Sequence, residues 1–333
     1  MTATQTAPVA IDLAAPDLAL DHFLTIAQLS TDQLVELLDL AASVKASPAL
    51  YTGALQGLSI TLLFEKPSLR TRMSLEIGLT KLGAHAVYFD HGKQRIGERE
   101  SIKDYAKNLE RWTDMVVARV FEHGVLEGLA EHASIPVVNA LSDLEHPCQA
   151  LADMLTLIEH LCPGEGAAGL AGKKLAWIGD GNNVCHSLML AAAKLGMDFT
   201  AVTPRGFEPS YAVVAAAVEA AEASGAKITI SHKLSAVKSS HAVYTDTWVS
   251  MGQEHHGAVR AETFANFTVD TDTMKLASEG LGRPALFMHC LPAHRGEEVT
   301  DAVIDSPQSV VYDQAENRMH TQNALAIKLL GSQ

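Results

Sequence analysis

The chain has 333 residues, a formal net charge of -14, 47% apolar residues and only 5% aromatic ones. That acidic balance excludes the broad basic surface a nucleic-acid backbone requires, and the length is enough for two α/β domains with aliphatic cores. The four cysteines, Cys148, Cys162, Cys185 and Cys290, form no C-x-x-C pair, which argues against a disulfide framework or a zinc knuckle.

The first basic residue is Lys45, after Asp12, Asp17 and Asp21, so the start lacks the charged region of a signal peptide and the arginines of a transit peptide. No apolar run is long enough to span a membrane. A cytoplasmic location is expected, with the first twenty or so residues as a loose extension. Ser30 to Gln33 has the pattern of a capping box, and Leu34, Leu37, Leu38, Ala41 and Val44 follow at helical spacing.

Strand-like runs at 58–64, 85–90, 115–120 and 135–140 alternate with helices starting near Ser68, Ser101 and His123. A long helix is expected from Pro147 to Leu161, then a glycine-rich turn or linker over 162–174. The pattern restarts with strands at 174–180, 198–204, 227–230, 242–246, 285–290 and 309–313, and closes with a helix over 316–330. This is the βαβ pattern of two doubly wound parallel-sheet α/β domains. Ligands of such sheets bind at the carboxyl ends of the strands.

The polar clusters fall at such ends. FEKPSLRTR (64–72) follows the first buried strand. Pro67 stops the strand and Ser68 is a good N-cap, so the helix start offers free N–H groups and partial positive charge to an anion. Arg70 and Arg72 add forked donors suited to phosphate or carboxylate. Taken singly, Lys66 and Arg72 also fit an exposed turn paired with Glu65 or Glu76, since alternate helical residues cannot all face one ligand.

His146, Pro147 and Gln149 lie at a strand-to-helix junction, where an imidazole and an amide can meet an anion or a carbonyl; Pro at the first helical position also fits a plain helix entry. WIGDGNNVCHS (177–187) places Gly179 and Gly181 as in a dinucleotide loop, but Val184 holds the third glycine place and no acid ends the next strand. Asn182 and Asn183 are the alternative there, as amides for a polar substrate. Asp246 ends a strand before Ser250, Met251 and Gly252, a set able to hold an ammonium group. Glu254, His255 and His256 lack metalloprotease spacing and fit a solvated loop. Cys290, Leu291 and Pro292 end another strand, and Arg318 lies near the start of the last helix.

FEKPSLRTR, HPCQ, GDGNN, DTW followed by SMG, HCLPAHRGEEVT and AENR together resemble the carbamoyltransferase family, and within it the ornithine branch, from about residue 25 onward. The resemblance implies that Ser68, Leu69 through its backbone, Arg70 and Thr71 grip the phosphate of carbamoyl phosphate. It implies that Arg119 binds phosphate and carbonyl oxygen, and that His146 and Gln149 hold the carbamoyl group. Asn183, Asp246, Ser250 and Met251 would bind L-ornithine, Cys290 and Leu291 would line the reacting centre, and Arg318 would complete it. Arg70, Arg119, His146 and Cys290 are the expected catalytic set, with no metal and no cofactor.

The resemblance further implies a carbamoyl-phosphate domain of residues 1–155 plus 316–333, an ornithine domain of 156–315, and a last helix packing back on the first domain. A homotrimer or a multiple of trimers is expected, with Arg95 in the loop 90–101 reaching a neighbour's site. Leu69 departs from the threonine that many relatives carry. The implied activity is transfer of the carbamoyl group to the δ-amine of ornithine, giving citrulline and phosphate. Another amine, such as acetylornithine or putrescine, or a non-catalytic binding protein, is the alternative.

Overall fold

The computed structural model describes residues 21–92, 94–249 and 257–331. Ser250, Met251 and the Glu254–His256 stretch lie outside the described residues. Helix α1 (Thr31–Ala46) opens the fold, with both halves of its capping box formed by Ser30 and Gln33, and it buries Leu34, Leu37, Leu38, Ala41 and Val44. The first sheet is built from β1 (Ser59–Phe64), β2 (His85–Asp90), β3 (Met115–Arg119) and β4 (Val137–Leu141). Its connecting helices are α2 (Leu69–Lys81), α3 (Ile102–Leu109) and α4 (His123–His132), and Ser68 and Ser101 cap the first two. All four strands are parallel, in the order β2-β1-β3-β4.

Helix α5 (Pro147–Leu161) leads to the second half, where the glycine-rich turn folds into a short 3-10 segment at Ala167–Leu170. The second sheet holds β5 (Lys174–Ile178), β6 (Asp198–Val202), β7 (Ile228–Ser231), β8 (Ala242–Thr245) and β9 (Leu286–His289), again parallel, in the order β7-β6-β5-β8-β9. Its helices are α6 (Asn183–Lys194), α7 (Tyr211–Ser224), α8 (Gly257–Phe264), α9 (Thr271–Ser278) and α10 (Asp301–Ile304).

The closing helix α11 (Val311–Leu330) corrects the expectation of a strand at 309–313 and of a helix from 316. Ser309 makes only an isolated bridge to Phe287. Val310 and Val311 are buried in two different clusters, so the apolar pair that reads as a strand is a buried helix entry. β-branched residues record burial on a packed surface as much as strand geometry.

Helix α11 packs on α1, α2 and α5, as expected of a last helix returning to the first half. Gly78 permits its close approach: a Cβ there would lie 2.3 Å from the Asn323 side-chain oxygen. One hydrophobic core runs through both halves by way of α5, α6 and α11, with separate outer layers on each sheet. The expected boundaries at 155 and 315 both fall inside helices, α5 and α11, that the halves share. Each sheet reverses its strand order once, between β1 and β3 and between β5 and β8. At such a switch point the loops diverge and leave a crevice.

Candidate active site

The two crevices open into one cavity of about 710 Å³. The first half contributes Lys66, Ser68, Leu69, Arg70, Thr71, Arg119, His146 and Gln149, and the second half Asn183, Asp246, Cys290 and Leu291, with Arg318 reaching in from α11. Every described residue expected at the site therefore lines one space, except Arg95.

The phosphate-type cradle is local in origin. Ser68 Oγ accepts from Thr71 N–H at 3.3 Å and lies 3.0 Å from Thr71 Oγ1. This ties the first turn of α2 to its cap. Leu69 is 72% exposed, so only its backbone belongs to the turn. Arg72 faces away, paired with Glu76 at 3.1 Å and lying 3.7 Å over the Tyr88 ring. Lys66 instead lines the cavity, with its ammonium 4.4 Å from the Phe121 ring centroid. The sequence reading left Lys66 outside the site; its place just before Pro67, two residues past the strand end, was the available signal.

Arg119 ends β3 where the pairing with β4 shifts register between Ala118 and Arg119. Such a bulge re-aims a side chain. Arg119 is 4% exposed and its Nε has no partner. Burial first, then the neighbouring Arg318 and Arg70 guanidinium groups, lower its pKa to about 9. Lys66 is lowered to about 8, chiefly by burial and then by Arg119. His146 is pushed well below 6.5 by burial and by Arg318 and Arg119, so its imidazole is neutral, and its Nδ1 is also unpartnered. Cations crowded together with orphaned buried nitrogens form a site that is electrostatically incomplete without an anion.

Across the cavity stands a carboxylate. Asp246 follows β8 and accepts from Thr247 N–H at 2.8 Å, Asn182 Nδ2 at 2.9 Å and the Cys290 thiol at 3.0 Å. Asn182 also caps α6 through Val184 and Cys185 N–H. Its amide therefore serves Asp246 and its oxygen the helix, and Asn182 does not line the cavity. Gly181 supports this arrangement by close packing: a Cβ there would lie 2.2 Å from the Pro209 backbone nitrogen. The glycine that resembles a dinucleotide loop is spent on that contact. Asn183 lines the cavity and donates to the Ser142 carbonyl at 2.5 Å, which ties the two halves together.

Leu291 has φ of 60°, a conformation that costs a non-glycine residue about 1–3 kcal/mol and persists only where its surroundings enforce it. Here Leu291 N–H donates to His289 Nδ1 at 2.8 Å, while His289 Nε2 lies 3.2 Å from the buried Glu298. Nδ1 therefore accepts and Nε2 is the nitrogen that faces the carboxylate. Burial, Asp246 and Asp153 raise the Cys290 thiol well above its ordinary pKa, so Cys290 is a thiol and not a thiolate. Two groups bring metal-ligand atoms within 4.8 Å of one another, Asp246–His289–Cys290 and His294–Glu297–Glu298. In the first, the His289 nitrogens and the thiol are already engaged as described.

Arg95 lies elsewhere. It pairs with Glu122 at 3.1 Å and stacks 4.4 Å over the Phe121 ring, on a loop anchored by Ile96 N–H donating to Glu65 Oε1 at 2.8 Å. It lines a smaller cavity of about 240 Å³ with Asp90, Arg99 and Tyr105.

The family model of the aspartate/ornithine carbamoyltransferase carbamoyl-P binding domain matches residues 21–159, and that of the Asp/Orn binding domain matches residues 171–329. The chain belongs to the aspartate/ornithine carbamoyltransferase family. It is 48% identical to an ornithine carbamoyltransferase of Shewanella oneidensis over 92% of this chain and 99% of the relative. Among solved structures it resembles the Pyrococcus furiosus ornithine carbamoyltransferase, with 43% identity, a TM-score of 0.86, and coverage of 92% of this chain and 96% of that one. The Thermus thermophilus ornithine carbamoyltransferase gives 43% identity and a TM-score of 0.80, with 93% and 99% covered. In this carbamoyltransferase the boundary between the two matched regions runs through the 162–170 turn, and the cavity lies between them. No helix of the described residues is long and apolar enough to cross a membrane.

Proposed function

We propose that the cavity transfers the carbamoyl group of carbamoyl phosphate to the δ-amine of L-ornithine, giving L-citrulline and phosphate. One observation carries the reading: a cationic pocket at the first sheet faces a carboxylate–thiol pair at the second, within one space. The first matches a dianionic acyl phosphate, the second an amino acid bearing ammonium groups. The names of the relatives support the same pair of substrates.

In this reading Ser68, Arg70, Thr71 and the Leu69 backbone hold the phosphate, and Arg119, His146, Gln149 and Arg318 hold the carbamoyl end. The neutral imidazole of His146 can donate one hydrogen bond to the carbonyl without adding a further cation. The amine attacks the carbonyl carbon, a tetrahedral centre forms, the C–O bond to phosphate breaks, and the amine proton leaves with phosphate. Donors preset toward the carbonyl oxygen and the leaving group are commonly worth about 3–4 kcal/mol each. Asp246 would hold the α-ammonium group, with Asn183, Ser250 and Met251 around the amino acid.

We further assign the carbamoyl-phosphate unit to residues 1–155 plus 316–333, and the ornithine unit to residues 156–315. A homotrimer with Arg95 turned to a neighbour's site is part of the proposal, since Arg95 does not enter the cavity of its own chain. A product assay with carbamoyl phosphate and ornithine, acetylornithine, putrescine or aspartate tests the assignment. Citrulline should exceed every other product by more than tenfold in kcat/KM; equal use of another amine would overturn it.

A further inference from the structure

Asp153 is wholly buried on α5, away from the cavity lining. Its Oδ1 accepts from Gln149 Nε2 and from Gln314 Nε2, both at 2.8 Å. An ionised carboxylate only accepts, so both glutamines must turn their NH₂ groups toward it and their carbonyl oxygens away. The Gln149 oxygen then accepts from Arg318 Nη1 at 2.7 Å, and Arg318 Nη2 donates to Thr71 Oγ1 at 3.0 Å. The Gln314 oxygen accepts from His289 N–H at 2.9 Å, one residue before Cys290. One carboxylate oxygen thus joins two glutamines into a chain running from the phosphate cradle to the Cys290 turn, with the donor-only Arg318 and His289 N–H at its ends.

We propose that Asp153 is a positioning residue for carbamoyl transfer, orienting Gln149 and Arg318 on the carbamoyl side and the Cys290 turn on the ornithine side. The inference rests on the carbamoyl-transfer reading of the same cavity. It deepens that reading by adding a group that touches neither substrate. Both glutamines share Oδ1, while Oδ2 has no hydrogen-bond partner among the described residues, so removing the carboxyl group frees both amides at once.

Burial raises the Asp153 pKa to about 7, against the Gln149 and Gln314 hydrogen bonds and the Arg318 charge. The charged and titratable groups facing it are Arg318 from α11, Tyr244 from β8 and Cys290 after β9. A proton taken up on Oδ2 leaves Oδ1 an acceptor for both glutamines, so the arrangement does not depend on the ionisation of Asp153.

The test compares wild type, Asp153→Leu, Asp153→Asn and Gln314→Leu in citrulline formation, with thermal melting as a fold check. Misplacing reacting groups by about 1 Å costs on the order of 100-fold, and Asp153→Leu, which removes the shared acceptor, should lose about that in kcat. Asp153→Asn, which keeps an Oδ1 acceptor for both glutamines, should restore kcat to within about threefold of wild type. Gln314→Leu, which spares Gln149, should raise KM for ornithine about tenfold and leave KM for carbamoyl phosphate unchanged.

A folded Asp153→Leu enzyme within threefold of wild-type kcat, or an Asp153→Asn enzyme as impaired as Asp153→Leu, would overturn the inference. So would a Gln314→Leu enzyme whose two KM values move together or not at all, which decides the matter if Asp153→Leu fails to fold. A wild-type protein that forms no citrulline sinks the functional reading instead, before either variant is compared.

Discussion

Arg318 Nη2 donates to Thr71 Oγ1 at 3.0 Å across 247 residues of chain. Its other terminal nitrogen holds Gln149, so one guanidinium fork joins the last helix to α2 and α5, two of the elements that open on the cavity. Lysine has a comparable charge and no fork. Arg318→Lys should lower kcat/KM about 10- to 100-fold, the loss of one charged hydrogen bond worth about 1.5–3 kcal/mol. Steady-state kinetics in both substrates would show this, and a fall of less than threefold would mean the fork is idle in the reaction.

Leu69 and Arg70 are adjacent and should respond oppositely. Leu69 is exposed and contributes backbone alone, so Leu69→Thr should change the carbamoyl-phosphate affinity by less than about threefold, within the ±0.5 kcal/mol or so typical of surface changes. Arg70 lines the cavity and faces Asp246 and Cys290 across it. Arg70→Ala should cost about 3–4 kcal/mol of transition-state stabilisation, roughly 100- to 1,000-fold in kcat/KM. Calorimetric titration with carbamoyl phosphate and turnover assays separate the two outcomes.

Glu145 should make the fold more stable in mild acid. It is buried, with Oε2 accepting from Ile26 N–H at 3.1 Å and Ser187 Oγ at 2.8 Å. Burial raises its pKa from 4.5 to about 7. A carboxyl whose folded pKa is raised favours folding fully below its unfolded pKa. That contribution is lost as pH rises from about 4.5 through about 7. Glu145→Gln keeps an acceptor without the charge, so it should stabilise at pH 8 by about 1–3 kcal/mol relative to wild type and change little at pH 5. Denaturant unfolding at the two pH values checks the sign; equal effects at both would refute it.

Arg95 provides a test of assembly. If it serves a neighbour, then Arg70→Ala and Arg95→Ala chains, each inactive alone, should regain part of the activity when unfolded together and refolded as hybrids. Some of the mixed sites would then carry neither substitution. Mixed refolding without recovery, with each parent refolding normally, would place Arg95 in its own chain's loop, where its partners are Phe121 and Glu122.

Much of this molecule was determined by sequence acting over short distances. Ser30, Ser68 and Ser101 each cap the helix that follows, because a cap is a contact with an N–H three residues on. The strands end where polar residues begin, which brought Ser68, Arg119, His146, Asp246 and Cys290 to the same end of two sheets. Leu69 illustrates the limit of such reading: its identity departs from the expected threonine, but only the fold shows that its side chain points to solvent.

Contacts across the chain decided the rest. Val310 and Val311 read as a strand and became a helix entry because the shared core covers Val310 and the second sheet's outer layer covers Val311. Asp153 and Gln314 read as ordinary polar residues on helices; they are 161 positions apart and meet only when α11 docks on α5. Asn182 offered a substrate amide until Asp246 engaged it. A buried polar side chain must find a partner wherever the packing supplies one, and which partner that is depends on how whole helices stack, a choice no local stretch of sequence contains.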